Sequence, residues 1–204
     1  MIVATGFEWM THQPLIRVVM EVFKPKFVLE LGIGIYSTPL FHEYLQTEYL
    51  GIENNREWIN EIEDQLGARI IYHELMDIEE GTTYNDLTMN QRKEIEAFYK
   101  RLIFPNLFPR LLFVDQYSSC RAISINTLKD QFDFIIYHDS ESYEVNRYDL
   151  VDSKGFKTST LRTNGPCTKL MMKNDLDITK AIQLFIDEFK NNHANCTLME
   201  FVND

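Results

Sequence analysis

The chain has no long apolar run and few cysteines, and these absences exclude several classes of protein. No stretch approaches the roughly 20 apolar residues that a membrane-spanning helix needs. The first eight residues lack the basic start and apolar run of a secretory signal, so we expect none. The three cysteines, Cys120, Cys167 and Cys196, are odd in number and widely spaced. They suit neither a disulfide framework nor a zinc site, and we expect reduced thiols in a cytoplasmic protein.

Basic residues are also scarce, with 20 Lys and Arg against 31 Asp and Glu, a net charge of −11. Phosphate binding needs a basic surface, so this balance argues against a nucleic-acid partner and favours a small molecule or a neutral polymer. Apolar residues make up 45% of the chain and aromatic residues 13%, which excludes a disordered chain. A length of 204 residues is most simply one domain with a full-sized core.

Helical and strand patterns alternate along most of the chain, which predicts an α/β fold. Two β-prone runs around Asn164-Gly165 predict an antiparallel hairpin. We therefore predict a single-domain, Rossmann-like, doubly wound sheet that is mostly parallel and ends in this hairpin. The predicted parallel strands are residues 27–31, 49–53, 69–72, 111–115 and 132–137. Within one domain, 1–204, the predicted parts are a cap helix (1–25), the core sheet (26–173) and a C-terminal helix and tail (174–204).

A glycine-containing turn follows the first predicted strand. Gly32 and Gly34 let the backbone approach a ligand, and the next helix offers free N–H groups at its start. Glu53 follows the second strand, where an acidic side chain can accept both hydroxyls of a ribose. The alternative is a tight turn with a capping carboxylate. The third glycine of the dinucleotide fingerprint is missing, which argues against an NAD-dependent oxidoreductase.

The segment Glu30-Leu31-Gly32-Ile33-Gly34 resembles motif I of the class I S-adenosylmethionine-dependent methyltransferases, and residues 52–59 resemble their second-strand motif. The hairpin adds to the resemblance, since this family ends its sheet with an antiparallel strand. The resemblance covers about residues 13–173 and implies S-adenosylmethionine as the cofactor. The cofactor contacts that it implies are Glu30, Gly32, Gly34, Ser37 and Thr38 around the turn, Glu53 at the ribose, and Asn54, Trp58 and Asp77 near the adenine.

Two acids and a histidine follow the fourth and fifth predicted strands. Asp115, Arg121 and the pair His138-Asp139 resemble the pattern of the glucuronoxylan O-methyltransferase-like group and related sugar or small-molecule O-methyltransferases. The resemblance implies transfer to a hydroxyl, which must lose its proton. His138 is the candidate base, and Asp115 and Asp139 are candidate ligands of Mg²⁺ or Mn²⁺. The alternative is that the two acids cap helices starting near residues 121 and 142.

Several further side chains are candidates for contact with the acceptor. Arg121 either pairs with Asp115 or binds substrate, and His12 is a second candidate base because the N-terminal segment can cover the cofactor in this fold. Segments 74–86 and 105–109 are predicted insertions that could shape the acceptor pocket. The remaining candidates are Tyr117 and Tyr143, which suit a sugar or a flat ring, and Glu141. Metal-dependent catechol-type methyltransferases carry a further Asn or Asp next to the second acid; this sequence has Ser140 there, and Glu141 could substitute.

The leading hypothesis is an O-methyltransferase that acts on a hydroxyl of a sugar, a glycan or another small molecule. The alternatives are a non-catalytic nucleoside-binding module and, less favoured, an NAD-dependent oxidoreductase. Residues 153–174 carry five basic side chains and no acid. For this hairpin we favour protection of a sheet edge over binding of an anionic group.

Overall fold

Eight strands form one sheet in the computed structural model, which describes residues 10–44, 46–66, 70–72, 78, 81–141, 146–173 and 177–204. The strands are β1 (Phe27–Leu31), β2 (Glu48–Glu53), β3 (Ile70–Tyr72), β4 (Arg110–Val114), β5 (Phe134–Tyr137), β6 (Lys157–Thr163), β7 (Thr168–Met172) and β8 (Met199–Asn203). Their order across the sheet is β3-β2-β1-β4-β5-β7-β6-β8. The prediction of a doubly wound, mostly parallel sheet is confirmed.

The order of the strands reverses between β1 and β4. β1 pairs in parallel with β2 on one side and with β4 on the other, and β3 and β5 extend the sheet in opposite directions. Every residue of β1 and of β4 is buried, which agrees with their apolar sequences and with helices covering both faces. In such sheets the reversal leaves a crevice at the carboxyl ends of the strands, where ligands bind.

Six α-helices cover the sheet in the described part of the chain. They are α1 (Gln13–Phe23), α2 (Thr38–His42), α3 (Arg56–Leu66), α4 (Met89–Lys100), α5 (Ser118–Leu128) and α6 (Thr179–Asn192). One face of the sheet packs against α1 and α6, through residues such as Val19 and Ile182. The other face packs against α4 and α5, through residues such as Tyr99 and Ile125. The core therefore forms two layers that leave the carboxyl ends of the strands accessible.

The hairpin does not form an edge of the sheet, so the prediction that its basic residues protect a sheet edge is wrong. β7 lies antiparallel between β5 and β6, and β8 pairs with the other side of β6. The tail thus supplies the outer strand. It also supplies acids, since Lys169 Nζ lies 2.9 Å from Asp204 Oδ2 and Arg162 Nη1 lies 3.9 Å from Glu200 Oε1. These partners neutralise part of the basic surface.

Some predicted elements differ in extent from those observed. The sequence pattern predicts a second helix from about Ser37 to Gln46, whereas the observed α2 ends at His42. The sequence also predicts a short helix over residues 142–150. Residues 142–145 lie outside the described residues, and Tyr148–Leu150 forms a 3₁₀ turn. All three cysteines are unpaired, as predicted. Among the described helices, none has the length and apolar character needed to cross a membrane.

Candidate functional site at the carboxyl ends of the strands

The turn after β1 passes directly over the end of β4. Gly32 has a φ of 81°, in the left-handed region that favours glycine. A Cβ atom at this position would lie 2.5 Å from the carbonyl oxygen of Asp115. The crossing is held by backbone hydrogen bonds from the Gly32 amide to the Ile52 carbonyl and from the Asp115 amide to the Leu31 carbonyl. Gly32 is therefore required by a close approach of two backbone segments.

Glu30 lies beneath this turn and is fully buried. Its carboxylate accepts hydrogen bonds from the hydroxyls of Ser37, Thr38 and Tyr49. Burial raises the pKa of Glu30 to about 8, although the three hydroxyls lower it in part. Thr38 Oγ1 also accepts from the Gly34 amide at 3.0 Å. Glu30, Ser37 and Thr38, predicted as cofactor contacts, thus form a buried network that shapes the turn from below.

We expect this buried carboxyl to make the stability of the fold depend on pH. Between its unfolded value near 4.5 and its folded value near 8, the folded protein holds a proton that the unfolded chain has lost. Stability should then fall as the pH rises through this window, by up to about 1.4 kcal/mol per pH unit. A Glu30→Gln variant cannot ionise, so its urea-unfolding free energy should change less between pH 5 and pH 8.

The matched control for this measurement is Glu57→Gln, which replaces an exposed glutamate in the first turn of α3. Its pH dependence should follow that of the wild type. If Glu30→Gln and the wild type give parallel stability curves from pH 5 to pH 8, the carboxyl of Glu30 is not protonated in the folded protein near neutral pH.

Glu53, at the end of β2, is held by three backbone amides. Its Oε2 accepts from Ile33 at 3.2 Å, and its Oε1 accepts from Asn54 and Asn55 at 2.7 and 2.9 Å. Burial raises the pKa of Glu53, and the three amides partly counteract this effect. A carboxylate can accept more hydrogen bonds than these three, so Glu53 keeps acceptor positions for a ligand. Glu53 and Asn54 both line a cavity of about 250 Å³.

Trp58 packs behind the glycine turn. Its indole Nε1 donates to the carbonyl of Ile33 at 2.7 Å, and its ring packs against a small cluster that includes Ile33, Ile59 and Ile62. Trp58 is absent from the cavity lining, where Asn54 is present. Of the three residues predicted near the adenine, Asn54 lines the cavity, Trp58 does not, and Asp77 lies outside the described residues.

The cavity lies where the strand order reverses, and part of its lining was not predicted. Gly81 and Thr82 line it from the segment after β3, within the stretch 74–86 predicted as an insertion. Segment 105–109 precedes β4 and therefore lies at the opposite end of the sheet. Gln116 and Ser118 also line the cavity but were not among the predicted site residues, although Gln116 directly follows Asp115 at the strand end. Among the described residues, the lining is Glu53, Asn54, Gly81, Thr82, Asp115, Gln116, Tyr117, Ser118 and Arg121.

Asp115 and Asp139 are bridged by the guanidinium of Arg121. Its Nη2 lies 3.0 Å from Asp115 Oδ1, and its Nη1 lies 3.0 Å from Asp139 Oδ2. Arg121 is 6% exposed and also donates to the backbone carbonyls of Gln116 and His138. The predicted pairing of Arg121 with Asp115 is observed, and its donors are directed to protein groups.

The two carboxylates do not fit a shared Mg²⁺ or Mn²⁺ ion, because the guanidinium lies between them. Burial alone would raise the pKa of Asp115, but His138 and Arg121 outweigh it and lower the pKa to about 2. Asp139 has a φ of 53°, a left-handed conformation that is uncommon outside glycine and marks a constrained position. The interpretation of Asp115 as a helix cap is wrong, since α5 begins after Tyr117 and has no side-chain capping bond.

His138 is buried, and both of its ring nitrogens face protein groups. Nε2 lies 2.9 Å from Thr11 Oγ1, and Nδ1 lies 3.4 Å from Asp115 Oδ2 and 3.7 Å from Asp139 Oδ1. Burial alone would lower the pKa of His138, but the two carboxylates raise it above its usual value. With 3% of its surface exposed, His138 is poorly placed to take a proton from an acceptor in the cavity.

His12 lies beside His138 and Asp115. Its ring centroid lies 4.9 Å from that of His138, with the two planes nearly perpendicular. Burial, reinforced by the charge of His138, lowers the pKa of His12 to about 3, so the ring is neutral near pH 7. The next residue, Gln13, donates through Nε2 to the carbonyl of Tyr36 at 3.0 Å. The start of α1 therefore contacts both the turn after β1, through Gln13, and the side chain of His138, through His12.

The other predicted acceptor contacts are dispersed. Tyr117 lines the cavity. Glu141 is exposed, and its Oε2 accepts from the backbone amide of Cys167 at 2.7 Å, so it joins the end of β5 to the hairpin. Asp77 and Tyr143 lie outside the described residues.

Comparisons with known proteins identify the fold. No protein-family model and no curated protein matches the sequence. Among solved structures, HI0767 of Haemophilus influenzae, described as a candidate methylase, is similar with a TM-score of 0.52 and 14% identity, over 83% of this chain and 100% of that one. The N-methyltransferase NodS of Bradyrhizobium japonicum, solved with S-adenosylhomocysteine, gives a TM-score of 0.51 and 9% identity, over 83% and 89%.

A third similar structure is WbdD, a bifunctional kinase and methyltransferase, with a TM-score of 0.50 and 13% identity. The match covers 82% of this chain and 39% of WbdD. At these identities the comparisons establish architecture alone. The chain therefore has the Rossmann-like fold of methyltransferases.

Proposed function

We propose that this protein transfers a methyl group from S-adenosylmethionine to a hydroxyl. The observation that carries the proposal is the position of Glu53, whose carboxylate is aimed by three backbone amides at the crevice between β1 and β4. This crevice is the ligand-binding place of doubly wound sheets, and an acid after the second strand there accepts ribose hydroxyls. NodS, which has the same fold, was solved with S-adenosylhomocysteine.

The residues around the cavity fit this cofactor. The glycine at position 32 keeps the turn clear of side-chain atoms where it crosses β4. Glu53 and Asn54 offer polar groups to a ribose and a base, and Asp115 places a negative charge across the cavity. When bound, S-adenosylmethionine supplies a methyl group on a positively charged sulfur, which suits an acidic surface.

Asp115 and Asp139 are the side chains that we assign to the acceptor. Their side chains are 27% and 31% exposed, whereas that of His138 is 4% exposed. Each carboxylate can accept a hydrogen bond from an acceptor hydroxyl and so orient its oxygen. The low pKa of Asp115 makes it a weak base, so alignment of the hydroxyl is the main contribution of the protein. The hydroxyl proton passes through the hydrogen-bonded carboxylate to water as the oxygen–methyl bond forms and the sulfur–methyl bond breaks.

We take the acceptor to be a sugar, a glycan or another small molecule. Tyr117 lines the cavity and offers an aromatic surface of the kind on which sugar rings stack. The net charge of −11 argues against a nucleic-acid acceptor. A cytoplasmic location stays a prediction.

A second candidate function is a nucleoside-binding module without catalysis. It is favoured by the enclosure of His138, which leaves the described part of the site without an accessible histidine base. A panel of sugar and glycan acceptors, with release of S-adenosylhomocysteine as the readout, separates the two functions. A wild-type protein that binds the cofactor but methylates none of the panel would support the binding module.

The role of Glu53 is testable by titration calorimetry with S-adenosylhomocysteine. Glu53→Gln removes the charge that would accept two ribose hydroxyls, and charged hydrogen bonds of this kind contribute about 1.5–3 kcal/mol. We therefore expect affinity to fall about 10- to 100-fold. Glu57→Gln, four residues along the chain and exposed, should bind as the wild type does. Equal affinities for the two variants would contradict the assignment of Glu53.

A further inference from the structure

His12 is a buried imidazole that the fold leaves unpaired. It is 2% exposed, and neither ring nitrogen has a hydrogen-bond partner among the described residues. The residue stands at the N-cap position of α1, but its side chain makes no capping bond. Buried polar atoms in native proteins almost always have a hydrogen-bond partner. A bound ion is one reason why a buried polar atom lacks such a partner in the protein.

The unpaired ring lies beside two other metal-binding side chains. One nitrogen of His12, one nitrogen of His138 and one carboxylate oxygen of Asp115 all lie within 4.8 Å of one another. Asp115 Oδ2 and His138 Nδ1 are 3.4 Å apart. A tetrahedral ion with bonds of about 2.1 Å holds its ligand atoms about 3.4 Å apart, which is the distance between Asp115 Oδ2 and His138 Nδ1. The His12 nitrogen lies within 4.8 Å of the ligand atoms of both side chains, so it is the group that would have to approach.

The surroundings orient these side chains as outer contacts orient metal ligands. Thr11 Oγ1 donates to the Pro166 carbonyl at 2.9 Å, so its oxygen is left to accept from His138 Nε2, also at 2.9 Å. Histidines that bind a metal through one nitrogen usually donate the other N–H in this way. Arg121 contacts Asp115 through Oδ1 and leaves Oδ2 on the side of His138.

We propose that His12, Asp115 and His138 bind one divalent transition-metal ion, which joins the start of α1 to the carboxyl ends of β4 and β5. Two imidazoles and one carboxylate suit ions such as Zn²⁺ and Co²⁺, whereas Mg²⁺ takes oxygen ligands. Three protein ligands leave a coordination position open. This site differs from the predicted pair Asp115 and Asp139, and it does not depend on the proposed methyl transfer.

The test uses the full chain, stripped with a chelator and then dialysed against Co²⁺. Bound metal is measured by mass spectrometry, and the visible absorption of Co²⁺ reports nitrogen ligation. We expect one Co²⁺ per wild-type chain. Loss of an outer contact lowers metal affinity roughly 10- to 100-fold. Because His12→Leu removes a metal ligand itself, its affinity for Co²⁺ should fall by more than this. His193→Leu, the same change outside the cluster, should bind one Co²⁺ as the wild type does.

A graded variant keeps the test decisive if His12→Leu does not fold. Thr11→Val removes only the hydroxyl that orients His138 and should weaken Co²⁺ binding about 10- to 100-fold. A wild-type chain that binds no Co²⁺, or a folded His12→Leu that binds it equally well, overturns the proposal. Titration of the wild type with S-adenosylhomocysteine is a separate measurement, so failure of the metal site and failure of the proposed function are distinguishable.

Discussion

Replacing Gly32 with alanine should abolish binding of S-adenosylhomocysteine and destabilise the fold by about 2–5 kcal/mol. The expected cost combines about 1–2 kcal/mol for a side chain in the left-handed region with about 1–3 kcal/mol for overpacking. The new Cβ atom would lie 2.5 to 2.6 Å from backbone atoms of Asp115 and Gln116, and neither backbone segment can yield without displacing the other. The turn after β1 would have to lift from β4, and the cavity would lose its wall.

Gly155→Ala is the matched control for this prediction. Gly155 has a φ of 86°, close to that of Gly32, but an added Cβ atom would meet nothing within 4 Å. The control therefore carries the cost of the backbone conformation without the clash, and it should bind the ligand as the wild type does. Urea unfolding and calorimetry measure both quantities. If the two variants lose equal stability and both bind, the close approach of the turn after β1 to the end of β4 does not limit the site.

Replacing Arg121 with methionine should destabilise the protein by about 3–5 kcal/mol, as removal of one partner from a buried ion pair does. The guanidinium is almost completely buried and lies against Asp115 and Asp139. Without it, the two carboxylates would face each other with only His138 to offset their charge. Methionine keeps much of the apolar length of the side chain, so the loss reports charge and hydrogen bonding more than volume.

Two further variants separate the ion pair from simple packing. Arg162→Met changes an arginine that lies 3.9 Å from Glu200 on the exposed surface, and it should cost less than about 1 kcal/mol. Asp115→Asn combined with Arg121→Met removes one of the two uncompensated charges and should recover part of the lost stability, as a double-mutant cycle would show. A double variant no more stable than Arg121→Met would mean that packing, and not charge, accounts for the effect.

The order of the elements was predictable because it depends on local pattern. Short apolar runs bounded by turns predicted β1, β2, β4 and β5 close to their observed positions, since buried parallel strands need apolar residues on both faces. Gly32 and Glu53 were found in the same way, because a turn and a strand end place them at known offsets. Hairpin chemistry at Asn164-Gly165 predicted that β6 and β7 would pair.

The roles of individual polar side chains were less predictable. Glu30 belongs to motif I, but its carboxylate is turned inward to three hydroxyls that come from 7, 8 and 19 residues further along the chain. His138 was predicted to be a base, yet it is enclosed by Thr11, which is 127 residues earlier in the chain, and by Asp115. Such partners are distant in sequence, and no local pattern shows which of them will take up a donor or an acceptor.

The sequence by itself determined the layered α/β fold, the doubly wound sheet and the turns at the carboxyl ends of its strands. The spacing of apolar residues and the presence of turn residues set helices, strands and turns over only a few neighbouring positions, so these elements can be predicted locally. Only the tertiary structure decided which ionisable groups face one another. It placed Arg121 between two acids, left the imidazole of His12 unpaired beside His138, and covered the basic hairpin with β8. Burial and charge proximity set the chemistry of each group, and both arise only when distant segments pack together.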